Sequence, residues 1–431
     1  FALNESILLM QLNFNKFKES VLFRSSIAAV DQGLISLINF GVQVILIKNV
    51  TKGEYGYYSL ALSIIMYLMS FQNAVVNTPI TVSLAERTTD EKNKYVSAVF
   101  NGQFYFLTII CSLGALISFG LIYHIFKIDY GLFTASLFVG SFGVLNREFL
   151  RSYFFAEERP LKVLKLDMYY GFIYILLIIL AIQFYKISVP LVIMFMGLSA
   201  GFDSLILNKS YNVKFDLNNI KTAYKENWSI SKWALIGITV THIQGFSYLY
   251  IIGIILGSTA MGEVSASRLL LMPLGLIING WGNVVRPYGA KLREQRLLKK
   301  FFKHLLTAGF IFPVIVLGFS LILYLFSDII LKYMFTGNYK SIFDYLFFWA
   351  ILSSVGFMQA NASYGLQVIK KFKSLALLNA LTMVITIVSS IILTNIWGIK
   401  GALTASLVGS TTFATILWYI LYKSIFNIKN E

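Results

Sequence analysis

The chain has 431 residues, of which 57% are apolar and only 13% charged, and its formal charge is +16. About a quarter of the residues of an ordinary soluble domain are charged, so a soluble domain is excluded. One cysteine, Cys111, and three scattered histidines, His124, His242 and His304, exclude disulfides and any Cys or His metal-ligand spacing.

Met10 opens MQLNFNKFKES with the look of a natural start, and residues 1–9 are read as additional to the native chain. Residues 1–22 are read as a cytoplasmic N-terminal segment. A membrane-crossing helix needs roughly 20 mostly apolar residues, and twelve runs qualify. Six fall at 26–47, 55–78, 96–122, 132–155, 163–184 and 188–208. Six more fall at 233–256, 264–285, 305–327, 341–367, 375–396 and 401–422. They are too long and too uniformly apolar for barrel strands, which alternate over about ten residues. The first run is also too long for the apolar core of a cleavable signal. The fold class expected is an all-α polytopic membrane protein with about twelve transmembrane helices.

The two sets of six read as one unit written twice. Gly53-Glu54 heads a run ending at Pro79, and Gly262-Glu263 heads one ending at Pro287; Ser152-Tyr153 recurs as Ser363-Tyr364. Six spans return the chain to its starting side, so the copies are expected to lie parallel, as residues 23–208 and 233–431. Of the 36 Lys and Arg, the outside loops take only Lys48, Lys52, Lys127, Lys186, Lys332, Lys340 and Lys400. Arg147, Arg151 and Arg268 fall inside spans, and the rest lie in the tails and even-numbered loops. This positive-inside bias places both termini in the cytoplasm. The basic excess therefore faces anionic lipid, and no nucleic acid partner is expected.

Ionisable groups inside spans are costly and mark candidate sites. Arg24 lies at the inner mouth of the first span, with Asp31 on the same face about 10 Å deeper at the helical rise; Asp31 either pairs with an arginine or takes up a proton. In the fourth span Arg147 and Arg151 are four apart and share a face, and Glu148 is placed to neutralise Arg151 in part. They either face a cavity or snorkel to headgroups. Asp167 and Asp203, near the inner ends of the fifth and sixth spans, read as rim or pairing residues. Residues 209–232 set Leu217, Ile220, Tyr224 and Trp228 at helical spacing, as in an amphipathic linker on the cytoplasmic surface. The second copy is poorer in acids. It offers His242, Gln244, Asn279, Asn283, Gln359 and Asn361, which suit hydrogen bonding to hydroxyl-rich material or to neighbouring helices. Arg268 and Arg286 bracket its eighth span. Pro273 with Gly275 predicts a kink there, whereas Pro79 and Pro287 sit where a helix can stop. The basic stretch Lys291 to Lys303 reads as an anchor to acidic lipid.

FRSSIAAVDQGLISLINFGVQVILIKNVTKGEYGYYSLALSIIMYLMSFQNAVVNTPI (Phe23 to Ile80) resembles the opening of the Wzx-type polysaccharide flippases, which carry O-antigen or capsule repeat units. These belong to the MOP superfamily, with multidrug antiporters and peptidoglycan-precursor flippases. REFLRSYFFAEERP (Arg147 to Pro160) and ASRLLLMPLGLIINGWGNVVRPYGAKL (Ala266 to Leu292) look like that family's fourth-helix end and eighth helix. The chain departs from it at Lys48-Asn49-Val50-Thr51, where the family often has an Arg-Leu-Gly-Pro-like segment.

The resemblance implies a MOP/MATE-like fold of two parallel six-helix bundles around a central cavity, working by alternating access in the bacterial plasma (inner) membrane. The implied cargo is a polyprenyl-pyrophosphate-linked oligosaccharide, moved from the cytoplasmic to the outer leaflet. Arg147, Arg151, Arg24, Arg286 and Arg268 are the candidates for its doubly anionic headgroup, since arginine suits pyrophosphate through bidentate contacts. Asp31, Glu148 and Asp167 are the coupling or charge-pairing candidates. No cofactor, metal or catalytic residue is expected, and coupling to a proton or sodium ion stays open. Membrane lipids and other polysaccharide-assembly membrane proteins are the remaining candidate partners. A proton- or sodium-coupled multidrug antiporter with Asp31 as its coupling carboxylate is the alternative. A membrane glycan polymerase or ligase would need a sizeable outer loop for its catalytic residues.

Overall fold

A computed structural model describes residues 21–84, 87–122, 128–184, 186–208, 216–335 and 337–426, and among these the regular structure is helical with no strand. Helix α1 spans Val21–Asn49. Helix α2 runs over Lys52–Gln72, widens into a π-helical stretch at Asn73–Asn77 and resumes as Thr78–Ser83. Then come α3 (Thr89–Ile117, with a π-helical end at Ser118–Ile122), α4 (Ile128–Ala156), α5 (Pro160–Phe184) and α6 (Val189–Asn208). The second half brings α7 (Leu217–Leu256), α8 (Ser258–Leu269), α9 (Met272–Glu294) and α10 (Leu298–Leu325). Short α11 (Ser327–Met334) and a 3-10 turn (Gly337–Tyr345) lead to α12 (Leu346–Val368) and α13 (Phe372–Phe426).

Eight of these helices are each long and apolar enough to cross a membrane, and the pair α8 and α9, bent by 61°, makes a ninth. The remaining three apolar runs fall on α4, which carries the charged group, on the shorter α6, and on the second half of α13, which holds two runs. Gly398, at φ 59° and ψ −137°, divides α13 between its two runs; glycine adopts a positive φ without steric cost.

The prolines act differently from the expectation that Pro79 and Pro287 end helices. Pro79 lacks a donor and crowds the carbonyl four residues back. Helix α2 absorbs this in its π-helical stretch and continues to Ser83, while Ser231 Oγ, which donates to Asn227 O at 2.8 Å, stands 3.5 Å from the Val75 carbonyl. Pro287 lies within α9, which continues to Glu294. The bend in the eighth run falls at Leu270–Leu271, and Pro273 occupies the first turn of α9, where its missing N–H leaves nothing unpaired.

The chain divides into two compact units that are not consecutive in sequence. Unit one holds the chain through Asn39 and Ile65–Leu235; unit two holds Phe40–Ile64 and Ile236–Glu431. Within unit one, α4 and α6 cross at backbone contact. A Cβ on Gly143 would lie 1.8 Å from Gly197 O, and one on Gly197 would lie 2.4 Å from Val139 O. Small residues permit this approach where no hydrophobic effect drives helices together. Residues 209–215 of the linker lie outside the described residues. From Leu217 it is helical and continuous with α7, with Ala223, Ile220 and Tyr224 packed on the core of α2, α3 and α4. Asn227 accepts a 2.6 Å bond from Tyr95 Oη, and Tyr224 Oη donates to Val99 O at 3.2 Å. Leu217 and Trp228 remain exposed.

Within unit two the heads of the two repeats meet. A Cβ on Gly56 would lie 2.0 Å from Ser258 O, and one on Gly262 would lie 1.9 Å from Lys52 O. Beside this crossing Glu263 pairs with Lys52 at 3.8 Å and accepts a bond from Ser341 Oγ. Gly143→Val should part α4 from α6 and cost about 1–3 kcal/mol, the usual range for overpacking. Gly201→Ala, whose Cβ would meet only Gly143 Cα at an ordinary 3.8 Å, should leave the thermal midpoint near wild type. Equal midpoints for the two variants would refute the close crossing.

Candidate functional site

In unit one, α4 projects Arg147 and Arg151 from one face, four residues apart, into a space lined by α1 and α5. Arg151 is held by three carboxylates. Its Nη2 meets Asp31 Oδ2 of α1 at 2.9 Å, its Nε meets Asp167 Oδ2 of α5 at 2.8 Å, and its Nη1 meets Glu148 Oε2 at 3.1 Å. Arg147 donates from Nη2 to the other oxygen of Asp167 and sits 3.9 Å from the centroid of the Tyr170 ring. Asp31 and Asp167 are 1% and 0% exposed, which removes water as a screen, and Asp31 Oδ1 accepts no hydrogen bond among the described residues.

The arrangement counts three carboxylates against two guanidiniums. With every group ionised the cluster is one positive charge short of neutral. Asp31 and Asp167 also adjoin one another, so like charges face each other in a dry site. The Arg151 guanidinium lies among all three carboxylates and so holds these like charges together.

The other candidate residues are placed as follows. Arg24 pairs with Glu158 in the turn between α4 and α5, an exposed contact apart from the buried cluster. Arg268, in the last turn of α8, donates to Tyr248 Oη at 2.9 Å and lies within 6 Å of the rings of Phe246, Tyr248 and Trp349. Arg286 donates to Gly282 O at 2.8 Å and Asn283 Oδ1 at 3.2 Å, beside the Tyr364 ring. Neither of these two arginines meets a carboxylate among the described residues. Unit one therefore neutralises its span arginines, and unit two does not.

Among the neutral polar candidates, His242 Nε2 is 3.0 Å from Tyr250 Oη and stacks on Phe246, and Gln244 donates to Thr382 Oγ1 at 3.2 Å. Asn361 is wholly buried; it accepts from Trp281 Nε1 at 2.6 Å and donates to Leu305 O at 3.4 Å, so its amide is engaged within the protein. Gln359 is half-buried on the same helix. The side chains of Asn279 and Asp203 lie outside the described residues.

Residue types alone did not point to Tyr170, Tyr248 or Trp349. Tyr170 stands three residues after Asp167, one helical turn on, and that spacing was the available signal. A second buried polar set, in which Gln72 Nε2 donates to Gln103 Oε1 at 3.0 Å and to Leu145 O at 2.7 Å, fastens α2 and α3 to α4 directly before Arg147.

The geometry belongs to a recognisable class: the chain has the fold of the MATE-type transporters of the MOP superfamily. It superposes with TM-score 0.72 on a multidrug resistance MATE family transporter in an inward-facing conformation, at 15% identity over 91% of this chain and 95% of that one. An outward-facing conformation of such a transporter gives 0.62 at 13% identity, covering 96% of both chains. A MOP superfamily transporter from Pyrococcus furiosus, described as having a binding pocket of reversed polarity that suggests a different function, gives 0.62 at 13% identity over 96% of this chain and 97% of that one. No protein-family model matches the chain, and no curated protein matches it in sequence.

Removing one partner of a buried ion pair strands the other, at about 3–5 kcal/mol. Arg151→Ala should therefore lower the thermal midpoint sharply, and adding Asp31→Asn should restore part of the loss. Glu148→Gln, at a side chain 21% exposed, should cost less than Arg151→Ala, because Asp31 and Asp167 still hold the guanidinium. An Arg151→Ala protein as stable as wild type would show that the cluster does not hold the three helices.

Proposed function

We propose that the protein is a flippase that moves a polyprenyl-pyrophosphate-linked oligosaccharide from the cytoplasmic to the outer leaflet by alternating access, for surface polysaccharide assembly. The observation that carries this reading is the pair Arg268 and Arg286 of unit two, cations without a carboxylate partner among the described residues, each beside aromatic rings. An uncompensated guanidinium in a span-forming helix suits an anionic cargo and disfavours a cationic drug. Aromatic faces and the amide of Asn283 suit the sugars that follow a pyrophosphate. Arg151 is engaged by three carboxylates and Arg147 by one, whereas Arg286 and Arg268 meet none among the described residues, which moves the weight of headgroup binding onto these two. Other solved structures with this fold carry names of both inward- and outward-facing transporters, which supports a mechanism of alternating access.

A second role falls to unit one. The cluster sets the three carboxylates of Asp31, Glu148 and Asp167 against two guanidiniums, and proton exchange at this point is the reading of its energy coupling. The alternative that the whole protein is a proton- or sodium-coupled drug antiporter shares this cluster and differs in its cargo.

Deleting the gene, in a strain with no second flippase, should abolish surface glycan and trap lipid-linked repeat units on the inner face. Arg286→Ala should fail to restore surface glycan, with at least a tenfold deficit, while reaching the membrane at normal level and thermal stability. Normal surface glycan in the deletion strain would sink the flippase reading, and a drug-sensitive phenotype in its place would establish the antiporter.

A further inference from the structure

Unit two contains a cavity that neither the ion cluster nor the headgroup arginines use. Its volume is about 630 Å³, and it is lined by Arg293, Leu298, Ile369, Lys371, Ile420, Lys423 and Ser424. The three cations come from three places: the last turn of α9, the turn joining α12 to α13, and the end of α13. None of them forms an ion pair among the described residues. Lys371 Nζ donates to Ser424 Oγ at 2.8 Å, and Arg293 Nη1 donates to Val368 O at the end of α12. Leu298, Ile369 and Ile420 supply an apolar floor. These are the helix ends that the lysine and arginine bias assigns to the cytoplasmic side.

The turns that form the cavity are built to hold this charge. Arg296 and Lys370 adopt φ of 60° and 61°, and Leu297 N bonds to Leu292 O at 2.8 Å while Lys371 N bonds to Leu366 O at 2.9 Å. Each closure ends its helix abruptly, so Leu298 and Lys371 are held in place. Unit one uses the same closure after α4, with Glu158 at φ 56° and Arg159 N bonded to Phe154 O at 2.8 Å. That turn is acidic, and Glu158 is taken up by Arg24. The repeat thus keeps the turn and reverses its charge, and only the second copy leaves the cations uncompensated.

We propose that this cavity binds the phosphate headgroup of an anionic phospholipid of the cytoplasmic leaflet. Arg293, Lys371 and Lys423 around one space offer charge-assisted donors to the single negative charge and the two free oxygens of a phosphodiester. The apolar floor decides for a lipid over a soluble phosphate, because it offers acyl chains or glycerol a surface that a free anion does not need. Leu297, Phe372 and Tyr422 are exposed beside the two turns and at the end of α13, and the amphipathic ring of Tyr422 suits the headgroup level. A headgroup held there would tie α9 to both ends of α13.

The test uses the full chain, delipidated and returned to phosphatidylglycerol or phosphatidylcholine, with bound lipid counted by native mass spectrometry. Wild type should retain phosphatidylglycerol in preference to phosphatidylcholine. Lys371→Gln with Lys423→Gln should weaken phosphatidylglycerol retention about tenfold or more, since each basic residue contributes on the order of 1 kcal/mol to such binding. Lys371→Arg with Lys423→Arg should keep it, and the thermal midpoint in phosphatidylcholine should be the same for all three proteins. Equal phosphatidylglycerol retention by wild type and the glutamine variant would overturn the proposal. Displacement of the lipid by sn-glycerol 1-phosphate at equal concentration would overturn it too, by showing a site for soluble phosphate.

Discussion

Arg151, packed among three helices, is the constraint on which unit one depends. An arginine taken out of water costs several kcal/mol unless something answers its charge. Here α1 answers with Asp31, α5 with Asp167, and α4 itself with Glu148. The three helices cannot separate without leaving a buried charge alone. The close crossing of α4 on α6 at Gly143 and Gly197 and the glutamine pair between α2 and α3 hold α4 at the depth where those bonds form. Packing without a hydrophobic driving force and charge pairing without water thus place the same helix twice over.

Much of this was legible from residue order. Twelve apolar runs located the helices, because hydrocarbon thickness imposes a length that composition alone reveals. The i, i+4 spacing put Arg147 and Arg151 on one face, and Asp31 stood as a pairing candidate. What residue order does not carry is which acid reaches which base. Asp31 and Asp167 lie far from Arg151 in sequence, and only the packing of α1 and α5 on α4 joins them. Nor could residue order foresee that the linker would run into α7 as one helix and send Tyr224 and Asn227 into the core. Its polarity resembled that of a surface helix because Lys221, Lys225 and Trp228 do face outward. The prolines misled for a local reason. Pro79 reads as a stop, yet a π-helical stretch spreads the cost over one turn and lets α2 continue.

The two units divide the electrostatics. Unit one gathers three carboxylates around two guanidiniums. Unit two sets Arg268 and Arg286 against rings and amides and supplies no acid to them. Even the tight turn that follows α4 and α12 obeys this division, acidic in one copy and basic in the other. Several of the neutral polar residues of unit two, Asn361 above all, are committed to neighbouring helices, so a cargo would meet fewer of them than a list of polar residues suggests.

The heads of the two repeats, Gly53-Glu54 and Gly262-Glu263, lie together in unit two, because residues 40–64 leave the copy to which they belong and join the other. The border between the structural units therefore differs from the border between the duplicated halves. A protein cut at the linker would give a second half lacking two helical segments of its own core, with the backbone groove at Gly262 open. Under that geometry, residues 233–431 alone would be incomplete as a folding unit and would need residues 40–64 supplied from another chain.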